Sequence, residues 1–490
     1  MTSAASSSPQ AGAIGASLSN MLDEVEAQFT LSKDKLLELT HHFSELYTYG
    51  LGVKGADMPM IPSFVTGLPD GKEKGTFLAM DLGGTNLRVC EVKLKGDHTF
   101  EIRQQKYRVS DALKKGPVAD LFEYMAESVE RFLNEFGTET DAGEDELLMG
   151  FTFSFPVEQT TIDRGALLFW TKGFNCPDAP GKDVVQLLQN ALDKKHIKVR
   201  VNALVNDTVG TLLTRSYQTG GAILGAIFGT GTNGAYLESI ERIKKIKVSS
   251  QGQAGPTHMV INTEWGSFDN ARTVLPTTQF DNFVDRTALR QRHHLFEKMI
   301  SGMYLGEVAR AVIIYLIDNL VLFSGFSSAT LNTQYGLDTA YMSMIEADID
   351  NGNPTSGSNG TREVLTQKLG LRAEHVSDVD VETVRRIVRF VGTRAARLSA
   401  TAVAGTLIHT GNIQDDGTGK QVNVGVDGSL AELYPHFEER MRIALRDIVG
   451  EDAEKRVKFG LAKDGSGVGA ALGAAAAKKQ RTAGHRVEAN

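Results

Sequence analysis

The chain has 490 residues, 41% of them hydrophobic, enough for more than one domain core. Its 52 Lys and Arg against 60 Asp and Glu leave a net charge of −8. No basic stripe runs along it, which argues against nucleic acid as the main partner. Two cysteines, Cys90 and Cys176, are too few for a disulfide framework and fit a reducing compartment.

Residues 1–20 are rich in Ser, Ala and Gly and read as a disordered tail. The first lysine is Lys33 and the first arginine Arg88. No Arg-rich leader or secretory signal is therefore read, and a soluble, cytoplasmic protein is expected. From Met21 to Tyr49 apolar residues recur at helical spacing, with Thr30–Leu31–Ser32 as a break between two helices. Asp70-Gly71 marks a turn. The run TFLAMDLGGTNLRVCEVKL follows as strand, turn and strand, with the turn from Asp81 to Asn86. Helices are expected near 117–136, 182–195 and 208–217. A second strand–turn–strand, GAILGAIFGTGTNGAYLES, carries its turn from Gly229 to Asn233. The stretch from Met303 to Phe323 is the most apolar helix candidate. Its Glu307, Arg310 and Asp318 mark a buried core helix rather than a membrane span. Residues 351–360 read as a surface loop. A long, Ala-rich helix is expected from Val381 to His409, and a hairpin-type turn at Asp416 leads into VNVGVDGSL. The chain closes with a Gly turn at Gly465 opening a helix, then a basic, frayed tail over 481–490. Strand hairpins mixed with helices indicate α/β architecture.

The two Gly/Thr turns are the most informative feature. Glycine lets backbone N–H groups face a ligand with no Cβ in the way, and threonine adds hydroxyl donors, so each turn can hold a phosphate. Two such turns suggest two related lobes gripping one polyphosphate. GTGTNG at 229–234 and GSGVGA at 465–470 also spell the dinucleotide fingerprint. The first is followed by a strand rather than a helix, and the second leaves too little chain for the required unit. Asp81, at the end of a strand beside two glycines, suits a carboxylate that organises Mg²⁺ through water. FSFP (Phe153–Pro156), TKGF (Thr171–Phe174), NDT (Asn206–Thr208) and EWGSFDN (Glu264–Asn270) mix short polar groups with Gly, Pro and aromatics. Together they can line a sugar-sized cleft, because carboxylates accept from hydroxyl pairs and Asn both donates and accepts. His41-His42 and His293-His294 lack metal-site spacing.

With LAMDLGGTNLRV, GFTFSFPV, WTKGF, NDTVGT, IFGTGTNGAY, EWGSFDN, HLFEKMISGMYLGEV and AKDGSGVGAAL in order, the chain resembles the hexokinase family of sugar kinases. It is most similar to the fungal glucokinases within the actin-like ATPase superfamily. The resemblance runs from about Met21 to Lys479. It implies a two-lobed actin-like ATPase (ribonuclease H-like) α/β fold with a deep interlobe cleft. The large lobe would hold 21–74 and 208–463, and the small lobe 75–207 and 464–480.

The resemblance also implies the roles. Asp207 matches the catalytic base for the sugar 6-hydroxyl, and Lys172 a cation near the transferring phosphoryl. Ser154, Pro156, Thr171, Lys172, Asn206, Asn233, Glu264 and Glu297 match sugar contacts. Asp81, Gly83, Gly84, Thr85 and Asn86, then Arg88, match the first phosphate turn, with Asp81 the residue for Mg²⁺. Gly229, Thr230, Gly231 and Thr232 match the second. Gly425, Asp427, Gly428 and Ser429, with Gly465 and Ser466, match segments around the adenosine. The implied activity is ATP- and Mg²⁺-dependent phosphorylation of glucose, and of mannose, to the 6-phosphate, the first step of glycolysis. A broad hexokinase that also uses fructose, or a sugar sensor on the same fold, are the alternatives. The implied partner is a small-molecule sugar, with no nucleic acid or membrane, and the implied state is a monomer or weak homodimer.

Overall fold

The computed structural model describes residues 9–83, 86–138, 146–171, 173–250, 255–350, 360–414 and 419–490. Its strands in chain order are β1 Ile61–Pro62, β2 Lys74–Leu82, β3 Asn86–Lys95, β4 Phe100–Arg108, β5 Leu147–Phe153, β6 Val157–Thr161, β7 Arg164–Leu167 and β8 Val199–Val205. They continue as β9 Leu224–Phe228, β10 Thr232–Ser239, β11 Ile246–Ser250, β12 His258–Asn262, β13 Val422–Asp427, β14 Val457–Leu461 and β15 His485–Ala489.

Two mixed sheets organise the molecule. One runs β4-β3-β2-β5-β8, and the other β1-β12-β10-β9-β13-β14. In the first, β2 pairs in parallel with β5 and β5 with β8. In the second, β13 pairs in parallel with both β9 and β14. The carboxyl ends of the parallel strands therefore line up within each sheet, where α/β folds place ligands. Both Gly/Thr turns lie on these crests, between β2 and β3 and between β9 and β10.

The buried strands are near-continuous apolar runs, as expected where both faces are covered. Phe151 and Phe153 of β5 pack in one core with Phe122, Phe132 and Leu188. The larger core joins Phe43 and Tyr47 to Trp265, Phe268 and the helix Asp378–His409. A third core lies beneath the helices Asp207–Thr219 and Gly465–Thr482. These two helices cross at a contact only glycines permit: a Cβ on Gly469 would lie 2.1 Å from the Cα of Gly210. A Cβ on Gly150 would likewise strike the Ala470 carbonyl at 1.9 Å. The glycines after the final turn thus serve close packing, and the first of them opens the helix.

The helical expectations at 117–136, 182–195 and 208–217 correspond to Val118–Phe136, Val184–Lys194 and Asp207–Thr219. The break near Thr30 is a cap, with Ser32 Oγ accepting from the Lys35 N–H. The apolar stretch from Met303 forms the helix Gly302–Asp318, in which Glu307 and Arg310 satisfy each other at 2.6 Å. Among the described residues no helix is long and apolar enough to cross a membrane.

Three expectations need correction. Residues 9–20 are not a disordered tail: they open the helix Pro9–Phe29. Leu18 sits one turn before Leu22, and both are buried with Val25 and Phe29, so one apolar stripe carries the helix back into the small-residue segment. Proline at its first position suits a helix start. The end of the chain is not a frayed tail either. His485–Ala489 forms β15, antiparallel to β11, and Val487 enters the larger core. Its alternation of charged and apolar residues over 486–489 is too short to read as a strand without a partner. Finally, β13 is entered from the helix ending at His409 and pairs only in parallel. The connection is a helix-to-strand crossover rather than a hairpin; residues 415–418 themselves lie outside the described residues. So do 351–359 of the expected surface loop.

Candidate active site

Asn206 and Asp207 sit where β8 ends and the helix Asp207–Thr219 begins. Asn206 is the N-cap, its Oδ1 accepting from the Thr208 N–H at 2.9 Å. That bond satisfies a donor the helix start would otherwise leave open and holds Asp207 in the first turn. Asp207 Oδ1 accepts from the Thr208 N–H at 2.8 Å and its hydroxyl at 3.2 Å, which leaves Oδ2 for an incoming hydroxyl.

A polar cluster from the six-stranded sheet gathers close by. Asn233 Nδ2 donates to Asn262 Oδ1 at 2.8 Å and to Glu264 Oε1 at 3.2 Å. Asn262 Nδ2 donates to the same Oε1 at 2.8 Å. Glu264 is held at φ 52°, a left-handed backbone uncommon outside glycine. Burial pushes its carboxyl up from the ordinary range, opposed by the Asn262 bond and the His294 charge and reinforced by Asp207 and Glu297. Asp207 and Glu297 are both near enough for their charges to act on Glu264. Glu297, in the helix Leu295–Ile300, accepts through Oε2 from the Thr232 N–H at 3.0 Å.

Ser154, Pro156 and Thr171 belong to the five-stranded side. Ser154 follows β5, and continuing the parallel register Thr152↔Val205 sets it level with Asp207. Pro156 offers its carbonyl to the Leu168 N–H at 2.9 Å, and Thr171 its carbonyl to the Phe174 N–H at 3.0 Å. Trp170 and Phe174 stack on each other, and Phe155 meets both edge-on. The guanidinium of Arg290 lies 3.7 Å from the Phe169 ring centre, joining this loop to the other side of the cleft. Lys172, Gly84 and Thr85 lie outside the described residues.

On the nucleotide side, Gly83 donates its N–H to the Asn86 carbonyl at 3.0 Å, closing the first turn. Asp81 Oδ2 accepts from Ser466 Oγ at 2.8 Å and lies 3.7 Å from Arg88, which also reaches Asp464. In the second turn, Gly229 donates to the Gly231 carbonyl at 3.0 Å. Gly229 approaches Gly428 so closely that a Cβ would lie 3.1 Å from the Gly428 Cα. Gly428 itself adopts φ 108°, which requires glycine. Thr230 and Ser429 line a cavity of about 750 Å³ with Gly302, Met303, Thr339 and Ser343, a volume suited to a nucleoside. Burial raises the Asp427 carboxyl to about 6, with Glu432 and Asp207 adding to the rise. Asp427 Oδ2 lies 3.3 Å from where a Cβ on Gly465 would stand.

Two residues expected at the nucleotide face inward. Thr232 is buried, its N–H on Glu297 and its hydroxyl accepting from Trp265 Nε1 at 2.9 Å. Gly425 packs against the helix Asp207–Thr219, where a Cβ would meet Arg215 at 2.7 Å. Both build the frame of the site. Sequence reasoning also passed over Asn262, His294 and the cavity residues Gly302, Met303, Thr339 and Ser343. Asn262 had a usable signal, standing two residues before Glu264 at a strand end; the cavity residues come from two helices, Gly302–Asp318 and Thr339–Asp350, that meet only in the fold.

Hexokinase family models match residues 21–217 and 223–476. The chain belongs to the hexokinase family. A glucokinase of Aspergillus niger is 43% identical over 466 residues, covering 88% of this chain and 92% of that one. A hexokinase of Kluyveromyces lactis is 38% identical, covering 97% and 95%. The solved hexokinase of Schistosoma mansoni complexed with glucose superposes with a TM-score of 0.80 at 36% identity, covering 94% of this chain and 99% of that chain. The enzyme is therefore a hexokinase- or glucokinase-type phosphotransferase on the two-lobed α/β fold, acting on a hexose with ATP.

Proposed function

We propose that the enzyme phosphorylates glucose, and mannose, at the 6-hydroxyl, yielding the sugar 6-phosphate and ADP. The observation that carries this reading is the hydrogen-bonded cluster in which the Asn233 and Asn262 amides hold Glu264 and the adjoining Thr232 N–H holds Glu297, with Asp207 near enough for its charge to act on Glu264. Such a set offers many acceptors and a few donors, matching a neutral polyol rather than an anion. The likeness to a structure complexed with glucose supports the same substrate.

Asp207 orients the hydroxyl and takes its proton as the P–O bond forms. The leaving group is ADP. Phosphoryl transfer passes through a loose transition state, so alignment and charge stabilisation do most of the work. The two Gly/Thr turns meet phosphate oxygens in this reading through amides other than those of Gly83 and Gly229, which close the turns themselves. Lys172 joins them by its place in TKGF. Asn233 and Glu264 bind and orient the ring hydroxyls, with Ser154 and Thr171 opposing them from the other lobe. Closure of the lobes excludes water, the competing acceptor.

Asp81 fits the Mg²⁺ that accompanies ATP. It is a carboxylate at a strand end beside a serine hydroxyl and a backbone turn, and Mg²⁺ is commonly held by one or two carboxylates plus phosphates and water. Among the described residues no three His, Cys, Asp or Glu gather as an all-protein cage. When bound, the ion neutralises charge on the phosphoryl oxygens.

The test is ATP-dependent ADP release with glucose, mannose and fructose across a concentration series. Turnover with glucose and mannose and little with fructose is expected. Comparable fructose turnover makes the enzyme a broad hexokinase. Glucose binding without turnover makes it a sensor.

A further inference from the structure

His294 is absent from the roles assigned above, yet it stands beside Glu297 and within reach of the Glu264 charge. It caps the helix Leu295–Ile300 at φ 55°, and its Nδ1 lies 3.5 Å from Glu297 Oε1. The other oxygen of Glu297 is taken by the Thr232 N–H at 3.0 Å. One carboxylate is thus clamped between an imidazole and the second phosphate turn. Gly266 closes over the ring; a Cβ there would come within 3.2 Å of Nδ1. The His294 side chain keeps 40% of its exposure against 23% for Glu297, so protons reach it freely.

We propose that His294 is a positioning residue for hexose binding: its imidazolium holds Glu297 against the Thr232 amide and offsets the negative charge gathered by Glu264 and Glu297. The proposal rests on the reading of this cleft as the hexose site. A hexose brings no charge, so its binding strips water from the carboxylates without supplying a counter-ion. A cation beside them reduces that cost. The charged groups around His294 are Glu297 and Lys298 on its own helix and Glu264 on the segment after β12. Lys298 is tied to Asp285 at 2.8 Å, which leaves the two glutamates to dominate. The bond to Glu297 raises the imidazole above its ordinary range, burial opposes, and the Glu297 and Glu264 charges add to the rise. Hexose affinity is then fully present below the free-histidine range and falls as pH rises through the raised value.

The experiment is steady-state ADP release with glucose through the histidine titration range, on wild type, His294→Gln and His294→Lys. In wild type the glucose KM should rise with pH by about two- to fivefold, the range of a half-exposed ion pair. The Gln variant should start at the raised KM and lose the alkaline rise. The Lys variant, a cation throughout this range, should hold the low KM with no rise. kcat at saturating glucose should stay within about twofold in all three, since the chemistry runs through Asp207. A Gln variant with wild-type KM, or with the same alkaline rise, overturns the proposal while leaving hexose phosphorylation intact. Failure of the wild type to turn over any hexose overturns the functional reading, and the proposal with it.

Discussion

At the scale of single residues, the site places three carboxylates in one cleft and gives each a different surrounding. Asp207 is oriented by its own helix start, Glu264 by two amides, and Glu297 by a backbone N–H. Asp207→Ala should lower kcat by about two orders of magnitude or more, the loss of a general base, while calorimetry still detects glucose. Turnover near wild type would remove Asp207 from that role. Glu264→Gln replaces a charged acceptor with a neutral one, and charge-assisted bonds are about twice as strong; glucose affinity by calorimetry should fall about tenfold, and an unchanged affinity contradicts the assignment. Asp427 allows a prediction about stability. In the folded protein it titrates at about 6, above the ordinary aspartate value of 3.8. The folded state therefore favours the proton, and the stability present below the lower value is lost as pH rises through the upper one. Asp427→Asn removes the charge and keeps an oxygen for the Gly428 N–H. It should stabilise the enzyme at pH 7 by on the order of 1–3 kcal/mol and give no gain in acid. Melting curves at the two pH values check this.

At the scale of elements, the site depends on how two helices meet. The helix Asp207–Thr219 presents Asp207, and the helix Gly465–Thr482 presents Ser466 to Asp81. Their separation is set by Gly210 facing Gly469. Gly469→Ala puts a methyl group where the Gly210 backbone stands at 2.1–2.5 Å, and overpacking of this kind costs about 1–3 kcal/mol. A lowered Tm together with a weakened ATP KM is expected. An unchanged Tm would show that the crossing adjusts freely. The same contact explains the small residues of this segment, which the sequence pattern reads only as a Gly turn opening a helix.

At the scale of the whole molecule, the two sheets carry opposite walls of the cleft. Asn233, Glu264 and Glu297 belong to one side and Ser154 and Thr171 to the other, with Asp207 at the junction. Glucose should draw the walls together, and small-angle scattering should record a smaller radius of gyration with glucose than without; identical profiles would argue against closure. The Arg290–Phe169 contact spans the walls beside Thr171. An exposed cation–π pair contributes about 0.5–1 kcal/mol. Arg290→Ala should therefore raise the glucose KM by about two- to fivefold, and a KM equal to wild type would reduce the contact to a passive one.

The amino-acid sequence by itself determined the strand–turn–strand pairs, the long helices and the position of Asp207 in NDT. These rest on short-range physics: period-two and helical apolar patterns, Gly/Thr turns and an Asn cap, all written within a few residues. The tertiary structure decided the rest. Thr232 sits in the second phosphate turn and Gly425 in a segment expected around the adenosine, yet both face inward, because which side of a segment meets the ligand depends on Trp265, Glu297 and Arg215 from elsewhere in the chain. The terminal strand β15 exists only because β11 is there to pair with it. His294 opens the motif HLFEKMISGMYLGEV with no role assigned to it there; it matters because the fold delivers it to Glu297 with Glu264 close behind. Local order is a property of neighbouring residues, whereas a site is a property of chain segments that meet only when the cores are packed.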